Sequence, residues 1–347
     1  MAIYIQGIGA ITIQNTLDKE WFSHSPISYN EPYVRCIEPQ FNNWFSPLEA
    51  RRMSRIIKRS IISSTIALED SGVSMPDIII SGTGLGAVED TEKFLTSMIK
   101  NGENYLQPSF FIQSTHNSIS SQIAIKIKCH GYNNTHVHRG VSFESALLEG
   151  VLLLSQGIGH TALIGGHDEL TPTYFQLLKR IGYWRDSIED SLNIIRLKGN
   201  GSFSGEGSIS IMLTDEYSDN SYCELVGCSL YYCPSNINHT IAEFLSNYGI
   251  KLCDVDLIMT GANGNTLNDS TYDGLYNNDR VAYYKHISGE YFSSASFAVM
   301  CAAQILKKGR VSSFYTNNGT EIDNVKSILI HNHAFNKNHS LILLRRC

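Results

Sequence analysis

Short apolar runs closed by glycine alternate with stretches of helical spacing along the whole chain, and this alternation limits the possible folds more than any other feature. Residues 3–8 read as a strand ended by Gly7 and Gly9. Residues 47–70 read as a long helix, with Pro47 in its first turn and Gly72 just past its end. A second strand over 77–81 runs into Gly82-Thr83-Gly84-Leu85-Gly86. Helical spacing follows over 115–128, extended chain over 135–139, helix over 142–156, and strands over 160–164 and 208–214. The second half repeats the pattern: helix 237–248, strand 255–259, helix 290–308, and strands 327–331 and 340–344. Residues 172–206 are polar and without a period. Such alternation predicts an α/β protein with parallel-rich sheets covered by helices, in two related halves, 1–218 and 219–347. No Pro-rich linker separates the halves.

Composition narrows the function. Of 347 residues, 42% are apolar and 17% charged, below the usual charged share, which points to thick layers or a large subunit interface. A net charge of −6 speaks against nucleic-acid binding. No apolar run has the length of a membrane span, and no basic-then-apolar leader opens the chain. The eight cysteines form no CxxC pair, so reduced thiols in the cytosol are expected.

Individual motifs are ambiguous. The Gly82–Gly86 run lacks the GxGxxG spacing, and no acidic residue sits in a clear ribose-binding position after a next strand, so a tight turn is favoured over a nucleotide cradle and no cofactor is implied. His136 with His138, and His331 with His333, each share a strand face, yet two ligands do not make a metal site. Arg51, Arg52, Arg55, Lys58 and Arg59 make a basic run, read as a solvated helix face or as a docking patch for an acidic partner. Residues 140–145 (Gly-Val-Ser-Phe-Glu-Ser) form a strand-to-helix elbow, where helix N-termini favour a nucleophile. The tip is Val141, with Ser142 beside it as a helix cap.

The order of motifs resembles the β-ketoacyl synthases of the thiolase fold. Residues 5–12 (IQGIGAIT) are similar to their opening strand, Arg51-Arg52-Met53 to the start of their first helix, and Gly82–Gly86 to a GTGLG turn. Residues 108–117 are similar to the segment before the interface helix, Gly165-Gly166-His167-Asp168-Glu169 to a GGxE strand end, and Gly205-Glu206-Gly207 to a GEG turn. Phe335 falls in an eroded GFGGTN-like region. The resemblance implies a Cys nucleophile and two His residues. Carried across position by position, the Cys falls on Val141, the first His on Asn263 and the second on Glu290; Lys285 keeps the family's Lys. Valine cannot be acylated, and an ionised Glu290 would repel a developing enolate.

A scaffold without its nucleophile is similar to the chain-length factors that pair with an active ketosynthase, and most similar to ketosynthase-like subunits of aryl-polyene and flexirubin-type pigment synthesis. The resemblance implies a heterodimer with a ketosynthase, or a homodimer, served by an acyl carrier protein. Contact would run through residues 110–117 and 135–139. Phe111, Val141, Ser142, Phe143 and Phe335 are the candidate pocket residues. Two rival readings are an acyltransferase or hydrolase built on Ser142 with His138 or Glu144, and a homodimeric acyl-binding scaffold.

Overall fold

The computed structural model describes residues 1–347 apart from 52, 103 and 105 and the side chain of residue 278; Arg52 of the basic run thus lies outside the described residues. In chain order the strands are β1 (Tyr4–Thr12), β2 (Ile78–Gly82), β3 (Tyr132–His136), β4 (Thr161–Asp168), β5 (Gly207–Thr214), β6 (Cys223–Tyr232), β7 (Leu257–Thr260), β8 (Val281–Tyr283), β9 (Arg310–Val311), β10 (Ile322–Asp323), β11 (Ser327–Ala334) and β12 (Asn338–Arg345). The helices are α1 (Pro47–Arg51), α2 (Arg55–Ser71), α3 (Val88–Asn101), α4 (Pro108–Ser114), α5 (Ser118–Ile127), α6 (Ser142–Ser155), α7 (Pro172–Arg180), α8 (Ile237–Ser246), α9 (Thr266–Asp269), α10 (Lys285–Ser288) and α11 (Ala295–Lys308).

Ten strands form one sheet in the order β3-β2-β4-β5-β1-β6-β12-β11-β7-β8, and β9 and β10 form a small ribbon. Only the flanking pairs, β3-β2-β4 and β11-β7-β8, are parallel; the five ladders between β4 and β11 are antiparallel. The sheet is therefore mixed, parallel at both ends and antiparallel in the middle, within the α/β class expected from the sequence. Strand–helix alternation reports which segments are extended, whereas direction depends on the connection. Between β11 and β12 that connection is a tight turn, with Phe335 and Asn336 both at positive φ and the Lys337 N–H donating to the Ala334 carbonyl.

Side chains sort by the period of two. Ala162 and Ile164 of β4, Ile209 and Ile211 of β5 and Ile342 of β12 face a core shared with α6 and α11. Leu163 and Met212 face α2 and α5, while Leu341 and Leu343 face α8. The sheet is thus covered on both faces, as the sequence pattern predicts.

Helix α2 lies unusually close to the sheet. A Cβ on Gly9 would stand 2.0 Å from the Ser63 carbonyl oxygen, so only glycine fits there. The hydroxyls of Ser63 and Ser64 both meet the Ser210 hydroxyl at 3.0 Å. The expected 47–70 helix is broken: Ser54 leaves helical geometry and accepts from the Ile57 N–H, starting a new helix. The basic run is also corrected in part. Arg59 is fully buried. It pairs with Glu206 of the Gly205–Gly207 turn, 3.0 Å away, and with Glu38. Glu206 in turn accepts from the Cys36 N–H at 2.9 Å and the Leu170 N–H at 3.2 Å.

The Gly82–Gly86 turn is held by the β4 terminus. Asp168 accepts from Gly84 N–H at 2.8 Å, from Thr83 Oγ1 at 3.1 Å and from Ser293 N–H, before α11, at 2.8 Å. Its neighbour Glu169 is buried, receives among the described residues only the Glu89 N–H (3.0 Å), and burial pushes its carboxyl up to about 8. The folded state therefore holds a proton from the ordinary 4.5 up to about 8 that the unfolded chain releases, so stability falls as pH rises across that window. Glu169→Gln is expected to flatten that slope and to raise stability at pH 9 by about 2 kcal/mol, measured by denaturant unfolding at several pH values.

Candidate functional site

The elbow is built from a 3₁₀ turn, Arg139–Val141, leading into α6. Arg139 sits at φ +48°. A Cβ on Gly82 would stand 2.4 Å from Ser142 backbone atoms, so β2 packs directly under the elbow. At the tip Val141 is buried and offers only methyl groups. Ser142 does not cap α6: its hydroxyl donates to the Arg139 carbonyl at 2.7 Å and accepts from the His138 N–H at 2.8 Å. The first orphan amides of α6 thus go without it, and the hydroxyl proton is engaged by backbone rather than by an imidazole. Glu144 is turned away as well. It is fully buried and accepts from Asn332 Nδ2 and Ser340 Oγ, each at 3.0 Å; burial pushes its carboxyl up.

In front of the elbow lies a cavity of about 480 Å³. Gly140 lies on its wall, Ile181, Leu267 and Phe335 ring its mouth with exposed apolar groups, and Lys285, Glu290 and Asn263 form its buried base. Glu290 Oε2 accepts from Asn263 Nδ2 at 2.6 Å and from Lys285 Nζ at 2.8 Å. The two positions assigned by resemblance to histidines, far apart in sequence, therefore share one hydrogen bond. Each is held independently. Asp269 accepts the N–H groups of Asn263 (2.9 Å) and Gly264 (2.8 Å). Glu290 exchanges backbone bonds with Phe203 and Gly205, so the expected helix 290–308 begins only at Ala295. In this arrangement both Lys285 and Glu290 are compensated, as buried charges must be.

The candidate pocket residues separate. Phe335 lies at the cavity mouth, in the left-handed region and 6.0 Å from the Tyr183 ring. Phe143 is buried in the main core. Phe111 is 57% exposed on α4, with its ring tilted against that of Phe94. The His136 ring is tied to Glu149 at 2.7 Å.

Sequence reasoning paired His331 with His333 but missed the third member of that cluster. His339, opposite His333 on β12, meets His331 at 3.1 Å, and Tyr276 O–H meets His331 on the other side at 2.7 Å. His333 Nε2 reaches the Asn268 carbonyl at 3.0 Å while its Nδ1 accepts from Asn336 N–H. Burial holds the His333 ring neutral down to about 3. The rings are spent on each other and on backbone, and no group of three ligands suited to a metal occurs among the described residues. The β11–β12 hairpin register carries the missing signal, which spacing along one strand does not.

A profile described as the N-terminal domain of β-ketoacyl synthases matches residues 19–218, and the chain belongs to this family. Solved structures similar to it include the ishigamide ketosynthase/chain length factor, 16% identical over 100% of this chain and 99% of that one, with a TM-score of 0.85. The ketosynthase ApeO in complex with its chain length factor ApeC from Xenorhabdus doucetiae is 14% identical, over 100% and 98% of the two chains, at a TM-score of 0.79. AntDE:AntF, an acyl-carrier protein in complex with its ketosynthase bound to the hexaketide, is 14% identical over 100% and 99%, at 0.76. These likenesses establish the thiolase-like ketosynthase fold. No curated protein matches the chain. No helix among the described residues is long and apolar enough to cross a membrane.

Removing one partner of the cavity-base pair leaves a buried charge. Lys285→Met is expected to destabilise the protein by about 3 kcal/mol. Adding Glu290→Gln should recover most of that loss, as read from paired denaturant melts.

Proposed function

We propose that the chain is a non-catalytic, chain-length-factor-type subunit that pairs with an active ketosynthase in acyl or polyketide chain elongation. One observation carries this reading: the base of the cavity is a closed Asn263–Glu290–Lys285 group, and the elbow above it ends in Val141. In this reading these are the positions where active relatives carry two imidazoles and a thiol. A condensing enzyme needs a thiolate to accept the acyl group and donors aimed at the developing oxyanion. Here the donors of Lys285 and Asn263 are turned onto a carboxylate, and the tip residue has no nucleophilic atom.

The solved ketosynthase/chain length factor pairs support a partner of the same fold. The complex of AntF with its ketosynthase supports an acyl carrier protein as the source of chains. The surfaces facing the partner are β3, at the sheet edge, and α4, where Phe111 and Ile112 are exposed. Aryl-polyene-type pigment synthesis is the narrower setting that the sequence resemblance favours. A Ser142-based hydrolase is disfavoured because its hydroxyl donates to a backbone carbonyl.

Co-expression with a catalytically complete ketosynthase from the same source, followed by size exclusion and intact mass measurement, should yield a 1:1 complex. Elution of two separate homo-oligomers would contradict the proposal.

A further inference from the structure

Strand β3 closes one edge of the sheet and pairs only with β2. The Tyr132 N–H donates to the Asp77 carbonyl at 3.1 Å, and the His136 carbonyl accepts from Thr83 N–H at 3.0 Å. In a strand the N–H and C=O of one residue point the same way and alternate along the chain. Residues 132, 134 and 136 therefore spend their backbone groups on the β2 side, and Asn133 and Thr135 turn theirs outward. An edge with free outward donors, no proline and no lysine invites pairing with any extended chain.

One of the two outward donors is already occupied. The Thr135 N–H donates to Asn134 Oδ1 at 2.8 Å. The Asn134 amide is fixed in that pose because its Nδ2 donates to both oxygens of Glu149 on α6, at 3.0 and 2.9 Å. Glu149 is itself anchored by Tyr132 O–H and His136 Nε2, each at 2.7 Å. Burial raises its carboxyl, but these hydrogen bonds outweigh it and hold the group below its ordinary range. On the opposite face the Asn133 and Thr135 side chains are tied to Ser120.

We propose that Asn134, oriented by Glu149, is a specificity-determining latch that disfavours pairing of β3 with a second copy of this chain and reserves the edge for the strand of a different subunit. Symmetry doubles the cost for a homodimer. Two-fold antiparallel pairing centred on Asn134 sets Asn133 of each copy against Thr135 of the other and needs both Thr135 N–H groups. Two latches must then open. A heterodimer opens one, and the occupant of the edge is the matching strand of the ketosynthase partner; this identity rests on the function proposed above.

Sedimentation equilibrium of the full chain tests the latch without any partner. Asn134→Ala is expected to strengthen self-association roughly tenfold or more over wild type, two released donors at about 1 kcal/mol each. Glu149→Ala, which frees the amide without removing it, should shift association in the same direction and serves if Asn134→Ala does not fold. Faster amide exchange at Thr135 in monomeric Asn134→Ala is the accompanying local signature. Self-association unchanged in both variants, or a wild-type homodimer stable at nanomolar concentration, overturns the latch. Strengthened self-association with no ketosynthase co-purifying leaves the latch standing and removes the partner assignment instead.

Discussion

The hydrogen-bonded group of Lys285, Glu290 and Asn263 governs the character of this protein. Asn263 and Lys285 meet on one carboxylate oxygen of Glu290 at the base of the cavity. Burying a lysine or a glutamate alone is prohibitive, and burying them together is tolerable only when the partners are well placed. The backbone on both sides is arranged to that end: Asp269 gathers the Asn263–Gly264 amides, and Phe203 and Gly205 hold the Glu290 backbone. In this arrangement the Lys285 ammonium and the Asn263 amide each direct a donor onto the Glu290 carboxylate.

The surrounding scaffold is correspondingly rigid. Arg59 and Glu206 fasten α2 to the turn before β5, and Asp168 fastens the Gly82–Gly86 turn to the start of α11. Both are buried carboxylates receiving several donors, the condition under which a buried charge is stable. The same motifs read from sequence as family signatures are therefore ties between layers, and they persist whether or not chemistry follows.

Much of this was legible in the sequence, and the reason is local. Glycines that end strands, such as Gly82 and Gly165, punctuate the chain, and the order of those punctuations defined the fold family. What escaped was pairing. A period of two says that Leu163 and Ile164 face opposite ways, but not that β5 runs antiparallel beside them. Arg59 reads as a surface cation because it closes a run of basic residues, while its own position turns inward to Glu206. Phe143 and Phe335 looked equivalent as pocket residues; the first packs against the sheet and the second stands at a tight turn. The three-histidine cluster and the Asn134–Glu149 contact both join separate elements, and no spacing along one segment contains them.

Whether this chain can carry an acyl group decides between a partner subunit and a condensing enzyme. Intact mass spectrometry after incubation of the purified protein with an acyl-carrier thioester measures this directly. The mass is expected to remain that of the unmodified chain. A stoichiometric acyl adduct, mapped to any side chain in the cavity before Val141, would contradict the claim that the site is chemically closed.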